Sequence, residues 1–336
     1  MMMLIIVFLP SHNTICAEFN PAESKLLDSA YQVVPLDMGN ILLGQEKFPQ
    51  VQGKISIFLL GTGFQDVAID ADDTLYLASS DQIWKIDNTK IARPLLRQSL
   101  NRENEPYLQC GLIDRIAISP NGRIYISANQ TIHQVLEDGT TSLLAGKAYE
   151  DGQVDGRATD ARFDYIYNLS VSSNEVIYVA SAHSIRTVDL AGHVRTLAGS
   201  TESGYRDGQG DIAQFAVPEV HITDKQQCLV VDRDRGTLRE VLPDNTVRTQ
   251  SILLSLSSTP DTTGKKTEFK RWSAVAFGLE GSVFFAIKDT IFQWTPTTGV
   301  SEIILIGGWA EFAHVPQHLA VDSHGNIYVT LVELMF

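Results

Sequence analysis

Residues 114–128, DRIAISPNGRIYISA, decide the fold. A short apolar segment runs into Ser-Pro-Asn-Gly, and a second apolar segment leaves it. Two short strands around a Pro/Asn/Gly turn are a β-hairpin signature. The pattern recurs outward as DVAIDADDTLYLAS (66–79), NLSVSSNEVIYVAS (168–181), EVHITDKQQCLVVD (219–232), AVAFGLEGSVFFAI (274–287) and HLAVDSHGNIYVT (318–330). The corresponding apolar anchors are Ile69, Ile118, Val171, Ile222, Phe277 and Val321, at intervals of 49, 53, 51, 55 and 44 residues. No helical period intrudes, and β-branched and aromatic residues dominate the strands.

Each of the first five hairpins is followed by a third apolar segment: QIWKID (82–87), TIHQVL (131–136), SIRTVD (184–189), TLREVL (237–242) and TIFQWT (290–295). A fourth ends the repeat, as in TSLLAG (141–146), VRTLAG (194–199), VRTQSI (247–252) and SEIILIG (301–307), with a weaker ARPLLR (92–97) in the first. Four antiparallel strands recurring at this period form one blade of a β-propeller. The sequence therefore predicts an all-β, six-bladed propeller of four-stranded antiparallel blades. After the sixth hairpin only LVELMF (331–336) remains, enough for a short third strand. The orphan GKISIFLLG (53–61) has the character of a fourth. Residues 54–60 are therefore expected to complete the last blade and close the ring, protecting its edges. The expected boundaries are 1–17, 18–53 and a propeller over 54–336.

The lead-in to the third repeat, LAGKAYEDGQVDGRATDARF (144–163), and to the fourth, LAGSTESGYRDGQGDIAQF (197–215), share a motif. Asp155-Gly156 and Asp207-Gly208 stand six residues before an Ala and eight before Phe163 and Phe215. Tyr76, Tyr125, Tyr178 and Tyr328 mark the second strand. Over residues 54–336 the chain resembles the NHL-repeat β-propellers, and more distantly the six-bladed propellers of the SMP-30/gluconolactonase group. The recurring acids and glycines read first as turn formers, and the recurring Phe as a wedge between neighbouring blades. Asp70-Asp72-Asp73 and Asp232-Asp234 lack the 12-residue calcium-loop pattern and read as hairpin turns.

The chain has 336 residues and a formal net charge of −14 at pH 7. That balance argues against nucleic acid as a partner, whose phosphates need a basic face. No apolar run reaches the roughly 18 residues of a membrane-spanning helix. Residues 1–9, MMMLIIVFL, with Ile15-Cys16-Ala17 before Glu18, resemble a secretory signal cut after Ala17. A secreted or periplasmic monomer is expected. Cys110 and Cys228 lie two repeats apart, so no disulfide joins them in this reading.

Propeller function is expected at the innermost strands. Three residues before each anchor stand Asp66, Arg115, Asn168, Glu219, Ala274 and His318; one residue before it stand Ala68, Ala117, Ser170, His221, Ala276 and Ala320. The two sets share strand parity and project on one side. Small residues fill the second set except at His221. Asp66, Arg115, Asn168, Glu219, His221 and His318 are therefore the candidate ligand-binding residues at one end of the channel. Three readings stay open. The first is a binding module for a protein, glycan or small polar ligand. The second, implied by the gluconolactonase resemblance, is a hydrolase using a divalent cation, for which Asp66, Asn168 and Glu219 supply oxygens. The third is a zinc-dependent lyase resembling the peptide-amidating enzymes, with His221, His314 and His318 as candidate ligands.

Overall fold

A computed structural model describes residues 64–86, 91–96, 110–250, 272–278, 281–287, 290–295, 297–305 and 314–333, with short strands at 6–8, 14–16, 31–32, 57–59, 99–100 and 106–107. The expected cleavage point after Ala17 lies outside the described residues. Two compact units are present. One holds repeats 1, 5 and 6 (1–79, 83–95 and 273–336); the other holds repeats 2, 3 and 4 (80–82 and 96–272).

Repeat 2 forms the sheet that the opening stretch predicts: Ile113–Ile118, Ile124–Ala128, Thr131–Val135 and Thr141–Gly146, each antiparallel to the next. Repeats 3 and 4 build the same four strands from Ile166–Val171 to His193–Gly199 and from Pro218–Ile222 to Thr246–Thr249. Each adds a two-residue fifth strand at its outer edge, Gly156–Arg157 and Gly208–Gln209, supplied by the Asp-Gly lead-in. In the other unit, repeat 5 is four-stranded, from Ala274–Phe277 to Gly299–Leu305. Repeat 1 carries four strands from Asp66–Ile69 to Ile91–Pro94, plus Tyr31–Gln32. These recurring antiparallel sheets make the chain an all-β propeller. Among the described residues no helix is long and apolar enough to cross a membrane.

The last repeat departs from expectation. Leu331-Val332-Glu333 is not a separate third strand. It continues the second strand, Ile327–Glu333, because no turn-forming residue follows Thr330. Ile57–Leu59 does pair with this repeat, but parallel to Ile327–Val329 and in the third position. An antiparallel fourth strand was expected from residues 54–60.

Hairpin turns link neighbouring repeats. Their fourth residue is left-handed in every repeat: Gly122, Gly281 and Gly325, but also Asp73, Glu175 and Gln226 at φ 59°, 60° and 62°. A side chain in that conformation is strained, and here each one reaches the preceding turn. Glu175 accepts from Ser119 Oγ, Asn121 Nδ2 and Tyr125 OH at 2.9, 2.9 and 2.7 Å. Gln226 Oε1 accepts from Ser173 N, and Asp73 from Ser323 N and Oγ.

The Asp-Gly motif does more than turn the chain. Asp155 Oδ2 accepts the Thr196 amide at 2.8 Å, while Oδ1 pairs with Arg186 Nη2 at 2.7 Å. Arg186 also donates to the carbonyls of Val154 and Arg162, and its guanidinium lies 4.7 Å from the Phe163 ring centroid. Repeat 4 copies the clamp, with Asp207 on Thr249 N and Arg239, and Arg239 4.6 Å from the Phe215 centroid. Burial alone raises the Asp155 carboxyl; the Thr196 amide and Arg186 outweigh it and hold it below the usual carboxylate range. Phe163 is fully buried among Tyr125, Ile132 and Ala145 of the preceding repeat, as a wedge should be. Phe215 sits likewise among Ala180, Ile185 and Ala198.

In repeat 2 the slot of Arg186 and Arg239 holds His133. Its Nε2 lies 2.8 Å from Thr131 Oγ1, and its buried Nδ1 has no hydrogen-bond partner. Burial pushes the imidazole down to about 4. The unfolded chain, with its histidine near the ordinary value, then takes up the proton first as pH falls. Stability from this residue is present above roughly pH 6.5 and is lost toward pH 4. His133→Phe, which copies Phe292 of repeat 5, is expected to remove about 2 kcal/mol of the stability lost between pH 7 and pH 5. Urea midpoints of parent and variant at the two pH values check this; an identical pH dependence contradicts it.

Candidate functional site

In the unit of repeats 2–4, the innermost strands Ile113–Ile118, Ile166–Val171 and Pro218–Ile222 neighbour one another in order. Register slips, one residue wide, fall immediately before Arg115, Asn168 and, in the other unit, His318. A bulge there re-aims the side chain that follows it. Periodicity does not reveal this feature, because the extra residue breaks the period.

The side chains then lace neighbouring strands. Arg115 Nε donates to the Tyr167 carbonyl and Nη1 to the Asp114 carbonyl. Asn168 bonds both ways to Val220: Nδ2 to the carbonyl and Oδ1 from the amide, each at 2.8 Å. Ser170 Oγ accepts the Ile222 amide at 2.9 Å. These bonds satisfy first-strand backbone groups that face a neighbouring strand too far away for a ladder.

Glu219 and His221 differ. Glu219 Oε1 pairs with Arg233 Nη1 at 2.7 Å, and Arg233 Nε is anchored on the Trp272 carbonyl at 3.1 Å. Arg233 is a candidate site residue, by its contact with Glu219, that the strand pattern missed. Its signal is the charged run Arg233-Asp234-Arg235, where repeats 2 and 3 turn on Asn129-Gln130 and Ala182-His183. His221 lies two residues on, on the same side. Burial pushes its imidazole down to about 4, so the ring is neutral at neutral pH. The residue nevertheless keeps part of its surface open to solvent. A neutral imidazole offers one donor and one acceptor.

The other unit brings Asp66 and His318 together, with Nδ1 3.3 Å from Oδ1. Asp66 Oδ1 also accepts the Val67 amide at 2.9 Å. His314 begins the strand His314–Val321.

Among the described residues, one group of three acidic or imidazole side chains has ligand atoms within 4.8 Å of one another: Asp73, Asp322 and His324. It is the linking contact between two hairpin turns. Asp73 accepts from Ser323, and Asp322 accepts from the His324 and Asn326 amides and from Tyr328 OH. Asp70 accepts the amides of Asp72 and Thr74, as a hairpin-turn acid should, whereas Asp232 ends the strand Cys228–Asp232 and accepts the Ala216 and Val217 amides that precede the repeat's first strand. Cys110 and Cys228 are buried free thiols.

No protein-family model matches this sequence, and no curated protein sequence does either. Solved structures do match. A gluconolactonase from Xanthomonas campestris aligns with a TM-score of 0.51 at 11% identity, covering 82% of this chain and 89% of that one. A Bacteroides thetaiotaomicron protein of unknown function aligns at 0.51 and 9% identity, covering 80% and 67%. A catalytically inactive virginiamycin B lyase from Staphylococcus aureus aligns at 0.46 and 13%, covering 89% and 93%. At these identities the first two show the propeller fold and nothing finer.

Proposed function

We propose that the chain is a binding propeller of the NHL-repeat type, with six blades, whose innermost-strand slots present polar groups to a small polar ligand, glycan or protein segment: Arg115, Asn168, Glu219 and His221 in one unit, and Asp66 with its partner His318 in the other. His221 carries the reading. It is the single large side chain in a slot that holds Ala in four repeats and Ser in one. Residues that build the fold recur by repeat, whereas a site is singular. Its ring is kept neutral by burial while the residue retains some exposed surface, and Glu219 and Arg233 beside it add an acceptor and a donor of opposite charge.

The bonding of the oxygen set favours this over the cation-dependent hydrolase. Asn168 Oδ1 is engaged by Val220 N and Glu219 Oε1 by Arg233. An arginine beside the carboxylate opposes a cation. We further propose that the chain is exported as a monomer after cleavage at Ala17; a native chain beginning at Glu18 by mass spectrometry supports export, and an intact Met1 in a cytoplasmic fraction defeats it.

A thermal-shift screen tests the binding reading. Ca²⁺, Mg²⁺ and Zn²⁺, each with and without chelator, are run beside free amino acids, sugar acids and tripeptides. A ligand at 100 times its Kd is expected to stabilise by about 2.7 kcal/mol. A shift from an organic member supports the reading. A shift from a metal alone, reversed by chelator, supports the hydrolase instead.

A further inference from the structure

We propose that the loop face of repeats 2 and 3 carries a second site, distinct from the inner-strand slots, where Tyr149 and Tyr165 stack a neutral saccharide and Asn129 and Asp114 bond its hydroxyls.

Tyr149 is 80% exposed and Tyr165 57% exposed. A bonded run connects them. Asn129 Nδ2 donates to Tyr149 OH at 3.1 Å, and the Asn129 amide donates to the Asp114 carboxylate. Arg115, next in the strand, donates to the Tyr167 carbonyl. The Tyr167 ring packs edgewise on Tyr165 with centroids 5.1 Å apart. Exposed Leu112 flanks Gly111, against which the Asn129 amide is packed.

Three features separate this patch from ordinary surface. The first is strain. Tyr149 has a φ of 61°, whereas Asn129 and Gln130, at 47° and 62°, are the ordinary left-handed pair of a two-residue hairpin turn. Left-handed backbone at a bulky residue is uncommon and clusters at ligand clamps. The second is the lack of a repeat equivalent. The lead-in loop holding Tyr149 is one residue longer than its counterpart in repeat 4, where Glu202 stands the same distance after the LAG glycine. The tyrosine of that loop, Tyr205, is capped: Arg235 lies 3.6 Å over its ring and Asp234 accepts its hydroxyl. The third is rigidity. Tyr149 is held by its hydroxyl and Tyr165 by its neighbour, so neither ring must be ordered on binding.

The chemistry selects the class. A flat aromatic face with a polar tip suits a ligand that is apolar on one face and hydroxylated at its rim. A carboxylate and an amide beside the rings accept and donate to hydroxyls. The chain's net charge of −14 disfavours an anionic sugar.

Saturation-transfer NMR on the full chain tests the site with four probes: maltose, cellobiose, lactose and chitobiose. At least one is expected to receive saturation on its ring C–H protons. Tyr149→Gly and Tyr165→Ala should each weaken that probe at least tenfold, and Leu190→Ala, at an exposed residue of repeat 3 outside the patch, should leave it unchanged. Tyr149→Gly also relieves the left-handed strain, so its melting temperature should not fall, and lost binding cannot be ascribed to unfolding. Silence from all four probes overturns the proposal. So does unweakened binding by either tyrosine variant.

Discussion

Replacing Asp155 by alanine is expected to destabilise the chain by about 2–3 kcal/mol. Its partner Arg186 is fully buried and is placed by three acceptors, of which Asp155 is the one with charge. Removing the carboxylate leaves a buried cation on two carbonyls, and breaking one side of a buried pair is the expensive case. The Thr196 amide and hydroxyl lose their acceptor as well. The loss falls below the full range for such pairs because Asp155 itself is half exposed. Arg186→Met removes the cation together with its bonds and keeps the packing on Phe163, so it should cost less than Asp155→Ala. The double variant should fall short of the sum of the two. Asp207→Ala, in the copied clamp, should match Asp155→Ala within about 1 kcal/mol by the same reasoning. A loss under about 0.5 kcal/mol for both aspartates, the level of ordinary surface change, contradicts the clamp.

Gly199→Ala and Gly146→Ala are expected to cost about 3 kcal/mol each. These glycines have φ of 99° and 93°. A methyl at Gly199 would stand 2.4 Å from the His183 carbonyl oxygen and 2.7 Å from Ser184 Cα; one at Gly146 would stand 2.4 Å from the Gln130 carbonyl oxygen. Backbone must move in both, and overpacking of that kind adds to the left-handed strain. Gly122→Ala is the control. Its φ is 77° but nothing lies within 4 Å of the added carbon. Repeats 1, 3 and 4 carry Asp73, Glu175 and Gln226 at this place, so a loss of about 1 kcal/mol is expected. Urea midpoints measure all three. Equal losses at the crowded and the open position would show that the close approach does not matter.

The strands were legible because each alternates apolar and polar residues around a turn with its own chemistry. Thr141–Gly146 was read to the residue, and Thr131–Val135 and Ser184–Val188 to within one. Direction was not legible at Ile57–Leu59, since the apolar character of a segment does not encode the direction in which it pairs. The clamp was half legible. Asp155 and Asp207 were marked by their recurrence but read as turn formers, whereas the amides they accept, Thr196 and Thr249, lie 41 and 42 residues further along the chain; Arg186 and Arg239 read as ordinary third-strand residues. The available signal was co-occurrence: arginine fills this slot in the two repeats that have Asp-Gly, and His133 and Phe292 fill it in repeats 2 and 5. Candidate site residues were placed on the right strands by spacing alone. Their partners were not, because Val220, Tyr167 and Trp272 contribute backbone atoms, and any residue has those.

The most direct test of the binding reading compares the parent with His221→Ala across the same panel of amino acids, sugar acids, tripeptides and metals, by thermal shift. The substitution restores the alanine that four other repeats carry, so the variant should fold, at a cost of about 1 kcal/mol without ligand. The account predicts that the organic ligand which stabilises the parent loses most of its shift in the variant. An undiminished shift in His221→Ala would contradict it and leave the inner-strand slots as structural bonds between repeats.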